Sequence, residues 1–233
     1  MPQTREHLDI CELLGVRLGV IALTKSDLVD EEWLELVQEE IREGLSDSFL
    51  AEAPMVPVSS KTGAGMEELK KVLIEQTGTL SSRSPDGRFR LPVDRVFTIK
   101  GFGTVVTGTV VSGSVEVGDE ILCSPSDRSG KVRGIQVHSD EATRARAGMR
   151  CAINISGLAV EDIHRGDVII HPGELEASHL IDARFRYLKS SKAPLPRQSK
   201  VLLHHGTAQR LATMVLADRD ELLPGDEALL QIR

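Results

Sequence analysis

Aromatic residues are scarce in this sequence: five Phe, one Tyr and one Trp among 233 residues. A platform that grips single-stranded nucleic acid by base stacking needs more of them, so that class is disfavoured. Cysteines are equally few. Cys11, Cys123 and Cys151 are odd in number, lie far apart and form no CxxC pair. That pattern argues against a disulfide framework or a cysteine-built metal site, and it suits a reducing cytoplasm. No apolar run reaches the length of a membrane helix. The opening "MPQTREHLDI" has no basic stretch followed by an apolar one, so it does not read as a secretory signal.

What is present is a soluble composition, 40% apolar and 27% charged, with an uneven charge. Residues 1–87 carry 17 acidic against 8 basic residues, a net −9. Residues 88–233 carry 18 acidic against 20 basic, a net +2, and 15 of those 20 are arginine. Arginine suits bidentate phosphate contact, so the second part permits a nucleic-acid partner, although ordinary surface charge explains the composition equally well.

The chain changes character near its first third. Residues 1–77 alternate helix and strand. "TREHLDICELL" sets Leu8, Cys11 and Leu14 on one helical face, and Gly15 ends that helix. "VRLGVIAL" is a continuous apolar run, as expected of a strand buried on both faces. Asp30 caps a helix over "EEWLELVQEEIREGL", whose apolar side is Trp33, Leu34, Val37, Ile41 and Leu45. "PMVPVS" is a short strand and "GMEELKKVLIEQT" a further helix. This order is part of an α/β domain with a parallel sheet. Residues 78–87, "GTLSSRSPDG", form a linker by composition. Residues 88–173 then run as short β-rich stretches separated by Gly, Asp and Pro turns, the pattern of an antiparallel β-barrel. Residues 174–233 repeat the pattern, and "VEVGDEIL" and "LLPGDEALL" each place Gly-Asp in a turn before a strand. A second barrel is expected there, left incomplete by a sequence that stops just after a strand run.

Two stretches carry chemistry. In "ALTKSDL" an apolar strand ends in Thr24-Lys25-x-Asp27. A carboxylate at Asp27 can accept from N1–H and the exocyclic amine of guanine, whereas adenine offers no such pair of donors, so a buried, unpaired carboxylate would reject it. The stem of Lys25 can cover the flat face of the base. Thr24 can tie neighbouring loops together. A lone TKxD is short, and the second stretch decides its meaning. "VPVSSKTGAGMEEL" follows the next strand, where backbone N–H groups around Ser59, Ser60 and Lys61 can reach guanine O6. In a parallel sheet both strand ends share one edge, so the two loops can meet.

The sequence has no G-x-x-x-x-G-K-[ST] motif, and no acidic-x-x-Gly element follows a strand in its first third. The β/γ-phosphates and Mg²⁺ of a nucleotide therefore have no visible holder. "KGFGTVVTG" is no dinucleotide fingerprint, because β-branched residues rather than a helix follow Gly103; its glycines read as bulge or turn positions of a curved strand. "HRGDV" reads as a turn before a strand. His204 and His205, adjacent on a strand, point to opposite faces and offer no metal pair. Asp94-Arg95, taken alone, reads as a surface ion pair of small energy.

Taken together, these residues resemble the translational GTPases, in which a G domain precedes two β-barrels. "TKSD" and "SSK" match the base-reading motifs, and "FTIKGFGTVVTGTVVSGSVEVGDEI" matches the signature of the second domain. Within that superfamily "MPQTREHLDICELLGV", "LPVDRVFTIKGFGTVVTGTV", "AGMRCAINISG" and "HHGTAQRLATMVLAD" resemble the bacterial selenocysteine-specific elongation factors. The resemblance spans almost the whole chain. It implies a fold of a partial α/β G domain followed by two antiparallel β-barrels. It also implies that the chain begins inside the G domain, downstream of the phosphate-binding loop and switch regions. The C-terminal winged-helix domains, through which the family binds an mRNA hairpin, are not represented.

The implied function is GTP-dependent delivery of selenocysteinyl-tRNA to the ribosome by a cytoplasmic, monomeric factor, with GTP/GDP and Mg²⁺ as cofactors of the full-length member. The resemblance further implies a pocket for the selenocysteinyl group between the G domain and the second domain, at Asp94, Arg95 and Arg150. The chemistry suits it: a selenol is anionic at neutral pH, and two guanidinium groups would favour it over neutral serine. Asp94 would orient one of them. This chain alone is expected not to hydrolyse GTP. Other readings are a translational GTPase delivering a different aminoacyl-tRNA, the GTPase subunit of a sulfate-activating enzyme, or a folded remnant without activity.

Overall fold

The computed structural model describes residues 2–80 and 86–233, and the chain divides into two compact units, Met1–Ser81 and Ser82–Arg233. Residues 81–85, within the linker expected from composition, lie outside the described residues.

The first unit opens with α1 (Pro2–Leu13). Gly15, at φ +75°, closes it: Gly15 N–H donates to Glu12 and Val16 N–H to Cys11, so two of the carbonyls left over at the helix end are satisfied. Strand β1 (Ile21–Thr24) follows, shorter than the apolar run that begins at Val16. α2 (Glu31–Leu45) is capped by Asp30, whose Oδ1 accepts from Trp33 N–H at 2.9 Å. Glu31 and Glu32 in its first turn complement the helix dipole. Leu34, Val37, Ile41 and Leu45 are half-buried, while Trp33 stays 58% exposed. β2 (Met55–Val58) pairs with β1 in parallel, and α3 (Met66–Gly78) returns along the sheet.

β1 is not buried on both faces as its sequence led one to expect. Its residues alternate between half-buried and exposed. Among the described residues β2 is its one strand partner, so the sheet here has two strands. The core of this unit is correspondingly small, with Val56 and Val58 its buried apolar side chains.

The second unit is all β. Its strands are β3 (Arg90–Ile99), β4 (Gly103–Thr109), β5 (Ser114–Glu116), β6 (Glu120–Ser124), β7 (Arg128–Val137), β8 (Asp140–Ala142), β9 (Arg144–Arg146), β10 (Arg150–Ser156) and β11 (Val168–Ile170). They continue with β12 (Ile181–Arg186), β13 (Leu195–Pro196), β14 (Gln198–His205), β15 (Ala208–Leu216), β16 (Glu221–Leu222) and β17 (Glu227–Ile232). Six of them close a ring in the order β10-β4-β3-β11-β6-β7, with β7 returning to β10. Closure removes the sheet edges that would otherwise invite pairing with other chains. Inward positions alternate along the strands: Cys151, Ile153 and Ile155 on β10, Leu91 and Val93 on β3. With Phe89, Ile121 and Ile169 they form the barrel core, each contributing ~1.5–3 kcal/mol for the larger aliphatic and aromatic side chains.

The last strands make a four-stranded antiparallel sheet, β12-β17-β15-β14, and a two-stranded ribbon, β13-β16. Both close over one core of Met214, Leu216, Leu222, Ala228 and Leu230, packed by Leu195, Phe185 and Tyr187. The two Gly-Asp turns do correspond. Gly118 and Gly225 both have positive φ, and Asp119 and Asp226 each donate their N–H three residues back, to Glu116 and Leu223.

The two β bodies touch at a defined place. Thr207, in the β14–β15 turn, donates its hydroxyl to the Val93 carbonyl at 2.6 Å. Gly166 N–H donates to the same carbonyl, and Val93 N–H donates to Asp167 O. Gly166, at φ +100°, lies so near Ala208 that an added Cβ would stand 3.0 Å from it. Among the described residues no helix is long and apolar enough to cross a membrane.

Candidate functional site

In the first unit the register Thr24↔Val58 brings the ends of β1 and β2 to one edge of the sheet. The chain leaves β1 through Lys25, held at φ +61°, a left-handed conformation that a non-glycine residue rarely takes. A single 3₁₀ turn over Ser26–Leu28 follows and carries Asp27. Beyond β2 the loop closes on Ser59, which is buried. Ser59 N–H donates to Ala64 O, Gly63 N–H to Ser59 O, and Thr62 N–H to Ser59 Oγ. Gly65 caps α3 at φ +72°, and a Cβ there would stand 1.9 Å from Pro57 O, so glycine alone lets the helix start against the strand.

These two loops meet: Ser59 Oγ donates to Asp27 Oδ1 at 2.5 Å. That bond orients the carboxylate and leaves Oδ2 without a partner among the described residues. Of the backbone donors expected to reach a purine O6, Ser59 N–H is already spent on Ala64, whereas Ser60 and Lys61, both exposed, lie on the outer side of the loop. Asp27 is exposed, not buried, so any rejection of adenine depends on the base itself excluding water from the carboxylate. Thr24 Oγ1 makes no side-chain hydrogen bond among the described residues, so its loop-tying role is not seen. The two loops thus bring one unpartnered carboxylate oxygen, Asp27 Oδ2, to the edge where β1 and β2 end.

In the second unit the second constellation rests on a β-bulge that no sequence pattern announced. Val93 pairs with Gly108 and Arg95 with Thr107, so Asp94 is an extra residue in β3. A bulge re-aims side chains that would otherwise alternate. Val93 points into the core, and Asp94 and Arg95 both reach the outside. β4 lies between β3 and β10, and Gly108 is its residue beside the bulge; a Cβ there would stand 2.3 Å from Pro92 O. Arg150, at the start of β10, reaches across from its register partner Thr109. Its Nη1 lies 2.5 Å from Asp94 Oδ2, and Arg95 Nε lies 3.8 Å from Asp94 Oδ1. The first is a charge-assisted hydrogen bond and the second an ion pair without one. The hydrogen bond and charge of Asp94 hold Arg150 more firmly protonated than an ordinary guanidinium. Both guanidinium groups remain more than half exposed and keep donors to spare, while the Asp94 side chain is 23% exposed.

Thr107 is the residue that sequence reasoning missed. It is the register partner of both Arg95 and Ala152, and its hydroxyl is buried with no hydrogen-bond partner. A threonine within a β-branched strand gives no signal of that kind; only the bulge beside it does.

The remaining motifs take structural places. Gly101 and Gly103, both at positive φ, shape the β3–β4 hairpin turn, where Phe102 N–H donates to Ile99 O; they mark a turn rather than a bulge. In "HRGDV", Asp167 is 5% exposed and accepts from His164 N–H at 2.7 Å, with the Cys123 thiol 3.6 Å away, so this tripeptide is a folded turn. His204 and His205 face Gln209 and Ala208 across the hairpin, and no cluster of three metal-ligating side chains exists among the described residues.

Residues 1–79 match the family described as "Elongation factor Tu GTP binding domain" and residues 103–170 the family "Elongation factor Tu domain 2". The whole chain is 52% identical over 233 residues to the "Selenocysteine-specific elongation factor" of Desulfomicrobium baculatum, and covers 37% of that protein. It is 33% identical to the protein of the same name from Escherichia coli (strain K12), with 97% of this chain and 39% of that one aligned. The chain thus spans less than half the length of both curated relatives. Among solved structures it is similar to translation elongation factor SelB from Methanococcus maripaludis in its apo form, at TM-score 0.86 and 30% identity, over 99% of this chain and 54% of that one. It is also similar to a bacterial selenocysteine-specific elongation factor, EF-Sec, at TM-score 0.83 and 28% identity, over 100% of this chain and 38% of that one.

Proposed function

The chain belongs to the selenocysteine-specific branch of the elongation-factor-Tu-like translational GTPases, and from that premise we propose that it forms the part of such a factor that reads guanine and receives the selenocysteinyl end of a charged tRNA. The observation that carries the reading is the pair of exposed guanidinium groups, Arg95 and Arg150, gathered around Asp94 by the bulge in β3. A selenolate is anionic where a serine hydroxyl is neutral. Two cations with free donors bind the first far better than the second, and Asp94 keeps Arg150 from collapsing onto other partners.

The guanine nucleotide is the cofactor that this reading requires. The described residues suit its base: Asp27 as acceptor, held by Ser59, with Lys25 two residues before it and the exposed Ser60 and Lys61 in the loop after β2. Bound there, the nucleotide would supply the GTP-dependent state change of the factor. No phosphate or Mg²⁺ contact is assigned, because no phosphate-binding motif stands in the sequence. The tRNA backbone is the partner for the arginine-rich β bodies, and the ribosome is the destination of the complex.

The test compares selenocysteinyl-tRNA with seryl-tRNA, the same tRNA carrying different amino acids, by equilibrium binding to the chain. A preference of at least about tenfold for the selenocysteinyl form is expected, with each charge-assisted contact in the range of ~1.5–3 kcal/mol. Arg150→Ala and Arg95→Ala should each erode the preference and leave seryl-tRNA binding unchanged. Equal affinities in the unsubstituted chain would overturn the reading. A different translational GTPase substrate would then be the better account.

A further inference from the structure

We propose that Thr207 is a positioning residue for the Asp94–Arg150 pair: from the turn between β14 and β15, in the last β body, its hydroxyl holds the peptide unit that carries Asp94 into the bulge of β3. The inference rests on the reading of that pair, with Arg95, as the selenocysteinyl site. It adds a residue that touches no ligand yet sets the geometry of those that would.

Asp94 and Arg150 come from strands that are not neighbours, since β4 runs between β3 and β10. Strands two apart in a sheet lie roughly 9–10 Å from each other. The bond of 2.5 Å between Arg150 Nη1 and Asp94 Oδ2 therefore depends on how the bulge presents Asp94. In the ladder between β3 and β4, Val93 and Arg95 have register partners and Asp94 has none. A bulged residue lacks the restraint that pairing gives its neighbours. That restraint must come from the other side of β3.

It comes through Val93. The Val93 carbonyl and the Asp94 nitrogen belong to one planar peptide, so whatever fixes the carbonyl fixes the plane from which Asp94 is hung. That carbonyl takes two donors, Gly166 N–H at 3.0 Å and Thr207 Oγ1 at 2.6 Å, one for each lone pair. With one donor the plane can rock about a single bond; with two it cannot turn without losing one. The loop that holds Gly166 is tied back in turn, because Val93 N–H donates to Asp167 O at 2.8 Å. Close packing sets Thr207 at its distance. An added Cβ at Gly206 would stand 3.2 Å from the Pro92 ring, and Ala208 lies against Gly166. Two small residues flanking Thr207 in "HHGTA" thus let the turn approach until one hydroxyl reaches the strand.

Thr207→Val keeps the shape and removes the donor, whereas Thr207→Ser keeps the donor and removes a methyl group. Tyr187→Phe is the control: it deletes a hydroxyl-to-carbonyl bond, to Ala193, from the same β body and leaves Val93 untouched. Two quantities are measured on each chain. One is the Arg150 side-chain Nε–H resonance of the ¹⁵N-labelled protein. The other is the ratio of selenocysteinyl-tRNA to seryl-tRNA affinity at equilibrium. Thr207→Val should move the resonance and lower the ratio by at least about threefold, within what one net hydrogen bond carries. Thr207→Ser and Tyr187→Phe should match the unsubstituted chain in both. An unmoved resonance in Thr207→Val overturns the proposal. So does an undiminished ratio in that variant when the unsubstituted chain shows a preference. A Thr207→Ser or Tyr187→Phe chain that behaves like Thr207→Val overturns it too, because the effect would then be one of bulk or of general stability. Should Thr207→Val not fold, Thr207→Ala takes its place under the same criteria. Failure of the site reading is separable. An unsubstituted chain with no preference removes the selenocysteinyl ligand, and the resonance alone then decides whether Thr207 positions Arg150.

Discussion

Ser59 and Asp27 lie 32 positions apart in the sequence and share a hydrogen bond of 2.5 Å. The bond joins the loop after β1 to the loop after β2, and so makes one site of two strand ends. Substituting Asp27→Asn replaces an acceptor by a group that also donates. Guanosine nucleotides should bind the variant about tenfold to a hundredfold more weakly, the range for loss of a charged hydrogen bond, while xanthosine nucleotides, which carry a carbonyl in place of the amine, should gain. Isothermal calorimetry with both bases checks it, and unchanged guanine affinity would show that Asp27 does not read the base.

Gly65 carries the second prediction. Its φ of +72° and the 1.9 Å that would separate an added Cβ from Pro57 O leave no room for alanine. The left-handed conformation alone costs an alanine ~1–2 kcal/mol, and the clash adds to it. Urea denaturation of Gly65→Ala should show the first unit destabilised by at least about 2 kcal/mol, with the barrel transition in place. A loss confined to a few tenths would mean that α3 moves aside freely.

Thr207 tests the joint between the β bodies. Thr207→Val keeps the volume and removes the hydroxyl that donates to Val93 O. Stability of the second unit should fall by about 1 kcal/mol. Because Val93 precedes the bulge, the Arg150 side-chain resonance of the ¹⁵N-labelled chain should shift as well; an unmoved resonance would separate the joint from Arg150.

The thiols predict a pH response. Burial pushes both Cys123 and Cys151 up to about 11 from an ordinary value of 9.0. Each then holds its proton in the folded state over a range where the unfolded chain has lost it. Stability of the second unit should therefore be undiminished below about pH 9 and should decline as pH rises toward 11. Thermal melts between pH 8 and 11, with Cys123→Ala and Cys151→Ala variants flattening the decline, would check this against an alkaline effect of other origin. At neutral pH, iodoacetamide should modify the half-buried Cys11 first and the two barrel cysteines only on unfolding.

Much of this was readable in the amino-acid order, and the exceptions share a physical cause. The cap at Asp30 and the stop at Gly15 depend on local chemistry, and local chemistry is written in adjacent residues. β1 is shorter than its apolar run because such a run reports hydrophobicity, whereas strand length depends on how many neighbours a strand finds. Strands of two or three residues, β5, β8, β9, β11, β13 and β16, are too short to show any period. The bulge at Asp94 was invisible for a different reason. It is a mismatch of register between two strands, and "VDRVF" reads the same with or without it. Asp94, Arg95 and Arg150 could be named from a resemblance, but not the fact that Arg150 rather than Arg95 holds the carboxylate.

The sparse aromatic content gives each unit its own optical label. The one tryptophan, Trp33, sits exposed in the first turn of α2. The one tyrosine, Tyr187, stacks on Phe185 with ring centroids 6.2 Å apart, and its hydroxyl donates to Ala193 O. Emission excited at the red edge, where tyrosine is silent, will follow the first unit by itself. Near-ultraviolet tyrosine dichroism, compared with a Trp33→Phe variant, will follow the β unit. Two wavelengths on an unlabelled sample can thus tell which half of the molecule answers to a ligand, a denaturant or a change of pH.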